Sequence, residues 1–326
     1  MRIVSLLASA TEMIYALGCQ DQLVGRSHEC DYPPEVQALP VVSKVQIDVT
    51  TSSAQIDAQV RELARDALTS ESAALKALSI YAIDVALLQA LQPDMIFTQT
   101  QCEVCAVSER DVIAALQQLT GLQPRVVSLS PYWLDDVWQD VLRVGAALER
   151  KEQAEYLVFG YKKSLAHLHE ITASFGGTPR VTVLEWLDPL IAAGNWTPEL
   201  VAFAGGEHVL SQKGSHSSLL YWDELQRANP DVLILSPCGY TLERTLADVP
   251  LLQQHPVWPM LRAVQTGRVY AIDGNQYINR SGPRLVESAE LLARAIWGER
   301  SEISLEALSC PLGDVFCSLI APPPPV

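Results

Sequence analysis

The chain has 326 residues, a 48% hydrophobic composition, 19% charged residues and a formal net charge of −15. That length exceeds what one hydrophobic core usually holds, so two domains are expected. The acidic balance repels phosphate backbones and argues against nucleic-acid binding, and no apolar run is long enough for a membrane span.

The first segment is ambiguous on its face. Arg2, the run Ile3 to Leu7 and Ala8-Ser9-Ala10 imitate a secretory signal, but the apolar part is short for one. The better reading is a strand over 2–7 followed by a helix over 11–17. Ser9 would cap that helix, Glu12 would close a capping box, and Gly18 would end it. Losing the segment would then delete a strand, so a cytoplasmic protein is expected. A periplasmic one is the alternative, if a leader has been removed.

Leu23-Val24-Gly25 reads as a second strand. It opens onto Arg26 to Pro34, a loop dense in polar groups that two prolines keep irregular. Residues 49–90 read as helical. Ile56, Val60, Leu63 and Ala64 repeat at helical spacing, and Ile83, Val85, Leu87, Leu88 and Leu91 line a second helix.

Pro93-Asp94 then leads into the apolar Met95-Ile96-Phe97, a buried strand of a parallel sheet. Gln99, Gln101, Cys102, Glu103 and Cys105 crowd the loop after it. In open α/β sheets, ligands bind beyond the carboxyl ends of the strands, which is where this loop falls. A helix over 106–119 and a strand over 125–129 follow.

Residues 133–175 form a long helical region, two helices meeting near Lys151. Gly176-Gly177-Thr178-Pro179 marks a boundary. The second half opens with a strand over 181–185 and continues through a helix over 197–204, a strand over 232–235 and a strand over 268–272. A last helix covers 283–297. Asn229-Pro230-Asp231, four apolar residues and then Ser236-Pro237-Cys238 repeat the pattern at Pro93. This points to two similar lobes. The domain organisation is therefore a lobe over 1–130 with a helical insertion at about 46–81, a linking region over 131–176, a lobe over 177–300, and a loosely held tail over 301–326.

Seven cysteines form no disulfide framework. Cys102 and Cys105 are spaced C-x-x-C, which serves a redox pair or half of a metal site, or arises by accident. Together with Cys30 and Cys238, and with His28, they would close around zinc or an iron–sulfur cluster. The bland alternative is that Cys30 and Cys238 are small half-buried hydrophobes. No G-x-S-x-G, H-E-x-x-H or P-loop lysine is present, and a non-enzymatic protein is expected.

Taken together, VSLLASATEMIYALG, VGRSHECDYP, LQPDMIFTQ, AGNW, NPDVLIL and RVYAIDGNQYINRSGPRLVE resemble the vitamin B12-binding (corrinoid-binding) proteins of ABC importers. These belong to the periplasmic binding proteins whose two α/β lobes are joined by one rigid helix. The resemblance implies α/β architecture, two Rossmann-like lobes with mostly parallel sheets joined by a long helix. It implies a corrinoid such as cobalamin, or a related tetrapyrrole, in a cleft between the lobes. It also implies service as a carrier or as a receptor partnered with an ABC permease. Ligand contacts carried over from it would be His28, Glu29, Cys30, Asp31, Tyr32, Gln99, Gln101 and Cys102 in the first lobe. Those in the second would be Trp186, Trp196, Tyr240, Tyr277 and Arg280. A metal-dependent or thiol-redox protein built on Cys30, Cys102, Cys105 and Cys238 is the alternative function.

Overall fold

The computed structural model describes residues 1–69, 80–100, 107, 109–117, 121–298 and 316–319. Packing divides the chain into two compact units. One comprises Met1–Pro131 and Asp136–Val158, the other Tyr132–Asp135 and Phe159–Val326.

The first unit opens with β1 (Ile3–Ser5), α1 (Ala8–Ala16) and β2 (Leu23–Arg26). It continues with β3 (Ser43–Val45), α2 (Ser53–Thr69), β4 (Tyr81–Ile83), α3 (Val85–Leu91), β5 (Met95–Gln99), α4 (Glu109–Leu116) and β6 (Arg125–Leu129). Four strands pair in the order β2-β1-β5-β6, all parallel. Every residue of β5 is buried, because helices must cover both faces of a parallel sheet. Val4, Leu6, Leu88, Ile96 and Val112 share one core cluster with Ile80 and Tyr81.

Local chemistry explains several boundaries. Asp84 caps α3 by accepting the Leu87 N–H at 2.9 Å. Gln92 then turns left-handed (φ 46°) and Pro93 forbids continuation. The expected capping box at Ser9 does not form. The helix begins earlier, at Ala8, after extended Leu7, and Ser9 and Glu12 are buried inside it. Ile83 was expected on a helix and instead lies in β4. There β3 and β4 form an antiparallel pair, Ser43 opposite Ile83 and Val45 opposite Tyr81. The far end of the expected insertion is thus part of this unit's core.

Helices α5 (Leu134–Ala147) and α6 (Lys151–Ala173) follow and meet near Lys151, as the sequence indicates. The chain passes from the first unit to the second along α6, at Val158 and Phe159.

The second unit contains β7 (Arg180–Leu187), β8 (Leu190–Ala192), α7 (Thr197–Phe203), β9 (Glu207–His208), β10 (Ser218–Leu219) and α8 (Trp222–Ala228). After these come β11 (Val232–Leu235), α9 (Leu242–Gln253), α10 (Arg262–Gln265), β12 (Val269–Ile272), α11 (Leu285–Trp297) and β13 (Phe316–Ser318). Its sheet is mixed. The centre is parallel, β7-β11-β12, while β8 pairs antiparallel with β7, β10 antiparallel with β8, and β13 antiparallel with β12. Strand β11 is buried along its whole length and anchors a cluster with Leu184, Leu187, Leu225, Val249 and Leu261. The tail was expected to be loosely held. Its described part instead extends the sheet, with Ala271 opposite Cys317, because the edge of β12 offers unpaired backbone groups.

Candidate ligand-binding faces

Each sheet has a carboxyl edge where its parallel strands end, and several of the residues named from sequence lie in the described loops there. In the first unit the loop after β2 carries His28 to Tyr32. The Arg26 guanidinium holds it by donating to the carbonyls of Ser27 and Cys30 at 3.1 Å and of Gln37 at 3.2 Å. The Ser27 N–H donates to Ser5 O at 2.8 Å, tying the loop to β1.

Within this loop the side chains have different fates. His28 is half-buried, its Nδ1 lies 2.9 Å from Ser43 Oγ, and its ring lies 5.1 Å from that of Tyr81. Burial, and secondarily the Arg26 charge, hold the imidazole below its ordinary pKa. The Tyr81 hydroxyl donates to Glu29 Oε1 at 3.2 Å. Asp31 is half-buried and Tyr32 exposed. Gln99, the last residue of β5, is buried. Gln101, Cys102, Glu103 and Cys105 lie outside the described residues.

Cys30 corrects an expectation. It is 1% exposed, and its sulfur sits 3.0 Å from Thr11 Oγ1, 3.3 Å from Ser27 Oγ and 3.6 Å from Ser5 O. Burial pushes the thiol up, which favours its protonated form. It is a small residue more deeply buried than the bland reading expected. Among the described residues no group of three or more His, Cys, Asp or Glu is placed to hold a metal ion, and nothing there supports the zinc or iron–sulfur reading. Cys238 belongs to the second unit, half-buried, its N–H donating to Glu185 O at 3.0 Å.

In the second unit, Trp186 near the end of β7 is half-buried. Its ring centroid lies 5.2 Å from that of Tyr240 in the loop after β11, at 61°. Its Nε1 donates to Asp188 O at 3.1 Å. Tyr240 is itself buried beneath Trp186 and Arg244, whose guanidinium lies 5.1 Å above the ring, and its hydroxyl makes no hydrogen bond.

Trp196, Tyr277 and Arg280 are held within the unit. Trp196 is 5% exposed and donates through Nε1 to Ile278 O at 2.7 Å. Tyr277 is buried under the Arg284 guanidinium at 5.2 Å, and Arg280 is turned inward to Asn275 Oδ1 at 3.0 Å. The organiser is Asp273, whose carboxylate accepts the N–H groups of Gln276 at 2.8 Å, Asn275 at 3.0 Å and Leu242 at 3.3 Å. Gly274 is obligatory here, because a Cβ would collide with the Pro237 carbonyl.

Three residues were missed from sequence. Ser43 and Tyr81 hold His28 and Glu29, and no local signal pointed to them, since both come from short strands. Glu185 is half-buried in β7 beside Trp186. Desolvation pushes its carboxyl up to about 7, and the Ser217 hydroxyl offsets that only in part. A lone carboxylate interrupting an apolar strand was the signal available for it.

Comparison with known proteins agrees with this architecture. A vitamin B12-binding protein of Pectobacterium atrosepticum is 23% identical over 310 residues, 93% of this chain and 90% of its own length. The periplasmic vitamin B12-binding protein of Vibrio cholerae superposes with a TM-score of 0.62 at 20% identity, covering 92% of this chain and 98% of that one. The apo periplasmic haem-binding protein of Roseiflexus sp. RS-1 does so with a TM-score of 0.63 at 22% identity, covering 91% and 97%. These likenesses show a shared fold of two α/β lobes. Residues 3–276 match the family model described as periplasmic binding protein, and the chain belongs to that family.

Proposed function

We propose that this chain is a non-enzymatic substrate-binding protein that carries a metal-centred tetrapyrrole, a corrinoid by preference, to an ABC permease. The observation that carries the reading is the half-buried Trp186 ring at the carboxyl edge of β7, seated against the buried Tyr240 ring, an aromatic face suited to a flat macrocycle. Relatives named for vitamin B12 binding, matched over nine-tenths of both chains, point the same way. Haem is the second reading, supported by the haem-binding neighbour of comparable TM-score. His28, Glu29, Asp31 and Tyr32 are the contacts proposed from the first unit, and Trp186, backed by Tyr240, is the contact proposed from the second.

The site of action in this reading is the periplasmic side of the membrane or its equivalent, in place of the cytoplasm. The family's description supports that alternative and nothing supports the cytoplasmic one. No helix among the described residues is long and apolar enough to cross a membrane.

Titration of the purified protein with cyanocobalamin, diaquacobinamide and hemin, followed by absorption, tests the proposal. Saturable binding at about micromolar or tighter affinity is expected for at least one. No saturable spectral change with any of the three overturns it.

A further inference from the structure

We propose that the exposed face of α6 pairs with the same face of a second copy of this chain, antiparallel and about a two-fold axis. The inference is independent of the ligand reading above.

Helix α6 is one continuous element, Lys151–Ala173, with two contrasting sides. Ala154, Val158, Leu165 and Leu168 are buried. At about 3.6 residues per turn, Glu152, Tyr156, Phe159 and Lys163 line the opposite side, and all four are exposed. Tyr156 is 77% exposed and Phe159 68%, more than any other large hydrophobic side chain among the described residues. One exposed apolar residue is ordinary, but two aromatic rings a single turn apart on a bare helix face mark a contact surface.

Gly160 supplies a second observation. It is exposed in the middle of the helix, and nothing lies within 4 Å of the place its Cβ would take. A glycine there weakens the helix by about 1 kcal/mol relative to alanine. No neighbour within the chain requires its small size, whereas a partner approaching closely would.

The charges name that partner. Glu152 and Glu155 precede the aromatic pair, and Lys162 and Lys163 follow it. Lys151 and Lys162 are already met, by Glu155 at 3.9 Å and Asp135 at 2.6 Å, while Glu152 and Lys163 make no ion pair among the described residues. An antiparallel pairing that sets Tyr156 beside the partner's Phe159 brings Glu152 opposite the partner's Lys163 in the same register. It also places the Tyr156 ring over the partner's Gly160, where no side chain stands in the way. A parallel pairing would instead set like charges together. Two-fold symmetry makes each of these contacts twice. A bilayer is the poorer occupant, because interfacial helices carry Lys and Arg along their polar face. This face carries both signs, on a chain of net charge −15.

A single helix pair is smaller than a standard interface, so a weak dimer is expected, with a Kd on the order of tens of micromolar. Sedimentation velocity of the full chain, over concentrations that bracket this value, measures it. Phe159→Ser should weaken association at least about tenfold. Glu152→Lys and Lys163→Glu each convert two ion pairs into two like-charge contacts, and each should weaken it about tenfold. An equimolar mixture of these two charge variants should associate as tightly as wild type, because both contacts of the mixed dimer then join opposite charges. Circular dichroism and thermal melts show that the variants, all at exposed positions, are folded. Flotation with vesicles of phosphatidylethanolamine and phosphatidylglycerol completes the set.

A wild-type chain that stays monomeric throughout the range overturns the proposal. Dimerisation unchanged by Phe159→Ser removes this face from the contact. A mixture no tighter than either charge variant alone contradicts the antiparallel register. Vesicle binding by a monomeric chain, lost in Phe159→Ser, also overturns the dimer and gives the face to lipid.

Discussion

The loop after β2 and the loop after β12 look alike as sequence and differ as structure. Both follow a parallel strand, both are rich in polar and aromatic residues, and both were expected to touch ligand. The β2 loop is anchored through its backbone to Arg26 and Ser5, with His28 Nδ1 on Ser43 Oγ and Tyr32 exposed. The β12 loop is held by its own side chains. Asp273 gathers three N–H groups, Asn279 Nδ2 donates to the carbonyls of Ser236 at 2.9 Å and Gly274 at 3.1 Å, and Arg280 and Arg284 bond Asn275 and Gln276. A ligand face needs groups the fold has not already used. Residue type at a strand end is therefore weaker guidance than the question of which hydrogen bonds the backbone can make without those side chains.

The largest effect expected from this contrast is on stability. Trp196→Ala removes a buried ring and its bond to Ile278 O, and should cost about 3–5 kcal/mol in urea unfolding. A loss below about 1 kcal/mol accompanied by failed ligand binding would restore Trp196 to the ligand face. Trp186→Ala should do the reverse. Tetrapyrrole affinity should fall about tenfold, a change of about 1.4 kcal/mol, with the unfolding midpoint little moved. Unchanged affinity would break the aromatic-surface argument.

A chemical probe sharpens the same distinction for thiols. In a brief iodoacetamide treatment of the native protein, the half-buried Cys238 and Cys317 should be modified well before Cys30, whose sulfur is enclosed by Thr11, Ser27 and Ser5. Mass spectrometry of the peptides reads the order, and early labelling of Cys30 would contradict its placement.

The smallest effect is a pH dependence. Glu185 is raised to about 7 by burial, so the folded chain keeps a proton that the unfolded chain releases above its ordinary value of 4.5. Its contribution is fully present below that value and is lost as pH rises through about 7. His208 works oppositely. Burial lowers it from 6.5 to about 4, so its contribution is present above pH 6.5 and is lost as pH falls toward 4. Glu185→Gln should therefore flatten the decline in melting temperature between pH 5 and 8. An unchanged slope would remove Glu185 from the account.

Much of the fold was legible because strong local signals coincide with it. Pro93-Asp94 before a short apolar run, and Asn229-Pro230-Asp231 before another, mark the central strands β5 and β11. The break near Lys151 separates α5 from α6. What escaped detection depends on distant partners. Strands β3 and β4 have three residues each and exist because they pair with one another, and β13 exists because β12 presents an edge. The candidate site was legible as two loops, and less so as individual atoms. Cys30 is claimed by Thr11, 19 residues away, Trp196 by Ile278, 82 residues away, and His28 is mounted on Ser43, 15 residues away. No periodicity or spacing carries such information.

Hydrogen exchange read by mass spectrometry, with and without saturating tetrapyrrole, tests the contrast most directly. The account predicts that ligand slows exchange over residues 27–32 and 185–187. The loop over 275–284 should be slow already in the free protein and change little. Slowing confined to 275–284, with 27–32 unaffected, would contradict it.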